Sequence, residues 1–179
     1  MENFEIASAL EELADLLEIK GSNPFRIRAY RNAVRTIHDL ARPLTAMLEE
    51  GEDLTRLPGI GKDLAGHIRE LATTGTLTLL EEVGRDVPRS LANLTRLDGV
   101  GPKKARKLWD ELGVTSVDEL EEALEAERVQ ALEGFGAKSA EKIRRSIQDF
   151  RKHRSRFLLS EADALIAPLL KALEGVSGV

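Results

Sequence analysis

The chain has 179 residues, 42% of them hydrophobic and 4% aromatic, with no cysteine and a formal charge of −5. That length suits one or two small domains with true cores, and the apolar content excludes wholesale disorder. Scarce aromatics argue against base-stacking platforms of the single-strand or RNA kind, and the lack of cysteine excludes disulfides and thiolate metal sites. No apolar run is long enough to span a bilayer, and the acidic start Met1–Glu5 is unlike a signal peptide, so a soluble cytoplasmic monomer is expected.

Taken in chain order, the apolar spacing of Ile6, Leu10, Leu13 and Leu17 predicts a helix over 2–19, stopped at Gly21. Asn23 suits an N-cap and Pro24 a first helical position, so a second helix is expected to run to about Ala41, burying Ile27, Tyr30, Val34, Ile37 and Ala41. Arg28, Arg31, Arg35 and Arg42 share another face of it, a basic stripe suited to phosphates; a merely solvated face is the alternative. Pro43 opens a third helix to Glu50. Residues 62–73 and 77–83 give two more, and Gly84–Ser90, lacking periodicity, reads as a linker that closes a first domain at 1–83.

The second domain, 90–155, starts with a short helix carrying Leu91, Leu94 and Leu97. A helix over 102–112 follows, opened by Pro102 and placing Trp109 in the core. Ser116 caps an acidic helix 117–126, and helices 128–133 and 137–153 come next. A last helix over 157–174 is expected to kink at Pro168. Nothing alternates like a strand, so the expected fold is all-α.

Charge is unevenly spread. Residues 1–19 carry Glu2, Glu5, Glu11, Glu12, Asp15 and Glu18 and no base, and every charged residue from Asp110 to Glu133 except Arg128 is acidic. Basic runs lie at 24–42 and at 138–156, the latter with Lys138, Lys142, Arg144, Arg145, Arg151, Lys152, Arg154 and Arg156. Local basic faces on an acidic body suit a protein that grips nucleic acid at defined places.

One pattern, Leu-x-Gly-apolar-Gly-x-x-x-Ala-x-x-apolar, occurs at Leu57–Ile68, Leu97–Leu108 and Leu132–Ile143. Paired glycines allow a tight turn with positive φ and leave the backbone bare. Helical spacing resumes after the second glycine, as at Leu64, Ala65, Ile68 and Leu71, so each turn opens a helix whose free N–H groups attract phosphate. The candidate contacts are Gly59, Ile60, Gly61 and Lys62; Gly99, Val100, Gly101, Lys103 and Lys104; and Gly134, Phe135, Gly136, Lys138 and Lys142. A dinucleotide fold lacks its third glycine here, and a P-loop its Gly-Lys-Ser/Thr ending. A plain structural turn is the alternative for any one copy.

The repeat resembles the helix-hairpin-helix motif, a DNA-backbone binder without sequence preference. In order and spacing the whole chain resembles the N-terminal part of family X DNA polymerases, the polymerase-beta-like repair enzymes, and the third repeat favours their bacterial and archaeal branch. The resemblance implies DNA as partner, gapped or nicked duplex, with Arg26 and Tyr30 at the positions that bind a 5′-phosphate; no protein partner is evident from the sequence. It implies K⁺ or Na⁺ held by backbone of Leu57, Gly59, Leu97 and Gly99. It also implies that 156–179 begins a palm whose Mg²⁺-binding carboxylates are absent from this sequence, so that the chain alone is expected to be inactive as a polymerase. His67 occupies the place of the family's lyase lysine and Asp63 that of a phosphate-contacting lysine, so a deoxyribose-phosphate lyase acting through another amine, such as Lys62, stands as an alternative. A scaffold binding a protein through the acidic 110–133 surface is another. A helix-hairpin-helix glycosylase fits poorly with three repeats and no cysteine.

Overall fold

The centre of the molecule is its first helix, α1 (Asn3–Lys20). In the computed structural model, which describes residues 1–152, this helix buries Ile6, Leu10, Leu13 and Leu17, and also Ala7, Ala14, Leu16 and Ile19. A surface helix buries one stripe; α1 buries most of its circumference because it has neighbours on several sides. It packs on α2 (Pro24–His38), α4 (Lys62–Thr74), α5 (Thr78–Asp86), α6 (Leu91–Thr95) and α7 (Pro102–Leu112). Each fully buried Leu or Ile there contributes roughly 1.5–3 kcal/mol.

The described residues are all-helical, with α3 (Leu44–Glu49), α8 (Val117–Glu125) and a helix over 137–152, here α9, completing the set. Single 3₁₀ turns, Leu54–Arg56 and Val129–Ala131, lead into the first and third glycine turns. The second of these replaces the helix expected over 128–133, because three residues are all that fit before the turn at Leu132 begins. The helix α2 ends at His38 rather than near Ala41, with Asp39 as its C-cap and Leu40 N–H donating back to Ile37 O in a tightened last turn. Ala41 is consequently exposed and Arg42 leaves the stripe, pairing instead with Glu50 and Glu52. Likewise α5 runs on through Gly84 to Asp86, and Val87 is buried, so the stretch expected as a linker is partly helix and partly core. The Arg89 stem lies across Gly84, where a Cβ would meet it at 3.0 Å.

Trp109 is only half-buried, at the core's edge under the Arg106 guanidinium, 5.2 Å from its ring. The helix expected over 157–174, with Pro168, Arg154 and Arg156, lies outside the described residues.

Where a helix cannot cap itself, another element does it. Pro43 offers no side-chain acceptor for α3, and Asn3 Oδ1 accepts from Leu44 N–H at 2.7 Å. Leu77 offers none for α5, and the Glu70 carboxylate accepts from Thr78 N–H at 2.7 Å. Ser116 caps α8 as expected, accepting from Glu119 N–H.

Electrostatic ties fasten α1 to both halves. The Asp15 carboxylate accepts from Arg31 of α2 at 3.2 Å and from the Thr95 hydroxyl of α6 at 2.6 Å. Glu18 also holds Arg31, Glu12 holds Arg89, and Arg106 donates to the Ile19 carbonyl at 3.2 Å. Asp15→Ala would leave two donors partly unmet in a half-buried site, so it is expected to lower unfolding free energy by about 1–3 kcal/mol in urea titration.

Candidate nucleic-acid interface

Each glycine pair divides its work. The first member, Gly59, Gly99 or Gly134, has φ of +73°, +92° or +86°, the left-handed region that L side chains avoid. It sits third in a four-residue turn closed by Ile60 N–H to Leu57 O at 3.2 Å, Val100 to Leu97 at 3.0 Å and Phe135 to Leu132 at 3.1 Å. The residue between the glycines, Ile60, Val100 or Phe135, is then turned into the core. Ala65, Ala105 and Ala140 are buried too, and each begins its helix by donating to the carbonyl of the second glycine.

That second glycine is different. Gly61 and Gly101 have φ near −84° and −82° with extended ψ, angles any residue adopts. A Cβ at Gly61, Gly101 or Gly136 would meet nothing within 4 Å. No side chain caps α4 or α7, so the first-turn N–H groups lack a side-chain acceptor; in α7, which starts at Pro102 with no N–H, these are the groups of Lys103 and Lys104. Beside these starts Lys62, Lys103 and Lys138 are exposed, and none makes an ion pair among the described residues.

The other lysines of the expected contact set are placed differently. Lys104 is half-buried, donates to Ser139 Oγ at 2.9 Å and lies 4.9 Å over the Phe135 ring, so it ties hairpin two to hairpin three. Lys142 lies not at its own turn but with its stem against Gly99, near the place a Cβ would take. There it lines a hollow of mixed charge with Arg96, Arg145, Asp98 and Asp149. Within the terminal basic run, Arg144 donates to Leu124 O, and Arg151 pairs with Asp118 and Glu121 of α8. Arg144 and Arg151 of that run thus hold the acidic helix, while Lys138, Arg145 and Lys152 are exposed.

The hairpin-one surface is a groove of about 1000 Å³ lined by Arg26, Tyr30, Gly61, Lys62, Asp63 and His67. Tyr30 is buried, and its hydroxyl shares a 3.1 Å hydrogen bond with His67 Nδ1 while the two rings stack 5.9 Å apart. The Arg26 guanidinium lies 6.0 Å from the Tyr30 ring centre. Burial raises the Tyr30 phenol above its ordinary value, partly opposed by Arg26. Burial also lowers His67 below 6.5, against a smaller opposing pull from Glu70. The expected pair Arg26 and Tyr30 is thus together in one groove, and the sequence reading missed that His67 completes it.

Of the basic stripe, Arg31 is taken up by Asp15 and Glu18, whereas Arg28 and Arg35 remain at the surface. Arg35 donates to Asn32 Oδ1 at 3.0 Å.

Repeated glycine turns that each present a helix start define a tandem helix-hairpin-helix protein. The helix-hairpin-helix domain family matches residues 1–77, and the SAM-like helix-hairpin-helix tandem family matches 91–149. The DNA polymerase/3′-5′ exonuclease PolX of Bacillus subtilis (strain 168) is 38% identical over 162 residues, which is 90% of this chain and 28% of that protein. DNA polymerase lambda of Arabidopsis thaliana is 41% identical over 64 residues, 35% of this chain and 12% of its own length. The rat (Rattus norvegicus) protein of the same name is 25% identical over 118 residues, 66% and 19% respectively. Over 90% of its own length the chain is similar in sequence to a family X DNA polymerase, and it spans less than a third of the length of these relatives.

His67 gives a pH test. Because its folded pKa lies below its unfolded 6.5, the unfolded chain takes up the extra proton, and stability falls as pH drops below that value. Between about pH 7.5 and 5.5, wild type should lose more stability than His67→Gln, measured by parallel denaturant titrations.

Proposed function

We propose that this chain holds DNA by its phosphate backbone, without sequence preference, at gaps or nicks in duplex. The second glycine of each hairpin carries this reading. The fold gives no reason for glycine at Gly61, Gly101 or Gly136, whereas a phosphate approaching the backbone would need the Cβ absent. An uncapped helix start with an exposed lysine beside it is suited to an anion through dipole, N–H groups and charge. The names of the relatives, DNA polymerases all, agree with such a partner. A terminal 5′-phosphate at the gap would sit in the hairpin-one groove between Arg26 and Lys62, and hairpins two and three would hold backbone on the other side.

The turn carbonyls suit a monovalent cation. Leu57 and Leu97 give one lone pair to the turn, and Gly59 and Gly99 accept from no donor among the described residues. K⁺ or Na⁺ there would add charge at the phosphate. Phosphoryl transfer with Mg²⁺ would be work for a longer protein; these residues bind and orient.

Binding to a 5′-phosphorylated gapped duplex is expected to fall with salt with a slope of about −4 to −5, for ~4–6 phosphates. A scrambled gapped sequence should bind within about tenfold. Flat salt dependence, or a larger loss on scrambling, would point to a protein partner or to base readout instead. Gly61→Ser and Gly101→Ser should fold at least as well, serine being the stronger cap, yet bind DNA more weakly.

A lyase reading is favoured by one observation: Lys62 lines the same groove as Arg26, Tyr30 and His67. His67 itself cannot form an imine, which needs a primary amine. Little borohydride-trapped adduct is therefore expected on an incised abasic duplex. Strong trapping that disappears in Lys62→Ala would make the lyase the better reading.

A further inference from the structure

Between the two hairpin units lies a basic cleft of about 580 Å³ that no hairpin turn accounts for. It is lined by Arg28, Arg31 and Arg35 of α2, by Glu18 of α1 and by Lys103 at the start of α7. The charges facing it differ in kind. Arg31 and Glu18 neutralise each other, with Asp15 helping. Arg28 and Lys103 have no acidic partner among the described residues, and Arg35 touches only the Asn32 amide. Three cations from two units therefore face solvent together, beside the uncapped, positive end of the eleven-residue α7.

The cleft also has a direction. Arg28 and Arg35 are two helical turns apart, about 10.5 Å along α2, farther than a single phosphate reaches. At one end α2 touches hairpin one: Thr36 Oγ1 donates to Pro58 O at 2.9 Å, and Asn32 Cβ lies 3.8 Å from where a Gly59 Cβ would be. At the other end Lys103 belongs to hairpin two. A positive track thus joins the two turns.

We propose that this cleft holds the phosphodiester backbone of the continuous strand opposite a gap. This rests on the DNA reading above. If hairpin one holds one flank of the gap and hairpins two and three the other, the cut strand is missing between them. The phosphates that pass between the units are then those of the uncut strand, and free cations in a cleft linking the turns fit that path.

The test uses the whole chain and two DNAs: a gapped duplex, and the same two arms with the opposite strand also interrupted. Arg28→Glu and Arg35→Glu combined should weaken binding to the gapped duplex by tenfold or more, and flatten its salt slope by about 2; Lys103 is left intact because hairpin two also uses it. The Gln double should act in the same direction, more mildly. On the doubly interrupted DNA, variant and wild type should bind nearly alike. Arg31→Gln should instead lower Tm and leave the slope alone, which marks loss of fold apart from loss of contact. A double variant with the wild-type slope overturns the cleft assignment while the DNA reading stands. So does an equal loss on both DNAs, which would be general electrostatics. Wild-type binding that ignores salt sinks the DNA reading itself, and the cleft with it.

Discussion

The interface depends on burying one apolar residue between two glycines. Once Ile60, Val100 or Phe135 is drawn into the core, the chain must reverse on either side of it within two residues. The left-handed angle at the preceding glycine makes that reversal, and the turn hydrogen bond fixes it. The following helix is then forced to start at the surface, because the residue before its first turn is already anchored inward. Outward-facing N–H groups follow from core packing. Hydrophobic burial, which is non-directional, here sets the direction of a polar site.

The charge distribution follows from a second constraint, the central place of α1. A helix rich in carboxylates would repel a polyanion if those groups stood free. Here Glu12, Asp15 and Glu18 are turned toward Arg89, Arg31 and Thr95, which belong to the elements packed around α1. In the second unit Asp118 and Glu121 of α8 are likewise matched by Arg151. Acidic runs thus serve largely to tie helices together, which explains how a chain of net charge −5 can leave its cations exposed at the hairpin starts.

Periodicity made the helices legible, down to the bounds Pro102–Leu112, because Pro at a helix start and Gly at its end are local signals. The glycine repeat likewise gave the three turns. The burial of Ala14, Leu16 and Ile19 was not legible, since it depends on how many neighbours α1 has, which no local pattern encodes. Nor was the difference between Arg31 and its stripe-mates: all three arginines share a face, and only the position of Asp15 and Glu18 one helix away separates them. His67 is legible as a departure from a lysine position and not as Tyr30's partner, a contact between residues 37 apart in sequence. The sequence also has no signal that Lys142 lies across another hairpin's glycine.

That last placement shows how equivalent residues come to differ. In the second unit each hairpin's helix braces the other's turn. Lys142 of α9 lies on Gly99, Ser146 accepts from Asp98 N–H at 2.7 Å, Lys107 of α7 reaches Glu133, and Lys104 covers Phe135. These lysines are consumed in making one rigid piece of two turns. Hairpin one has no such twin, and takes its bracing from α2 through Thr36 and the Pro58 carbonyl. A lysine at the third helical position or later, such as Lys104, Lys107 or Lys142, therefore falls within reach of a neighbouring turn in the paired unit. A lysine at the first or second position makes no such contact among the described residues, because the core-facing residue has already put that end of the helix outside. Lys62, Lys103 and Lys138 stay free for that reason, and position along the helix, more than residue type, decides which cations can meet a phosphate.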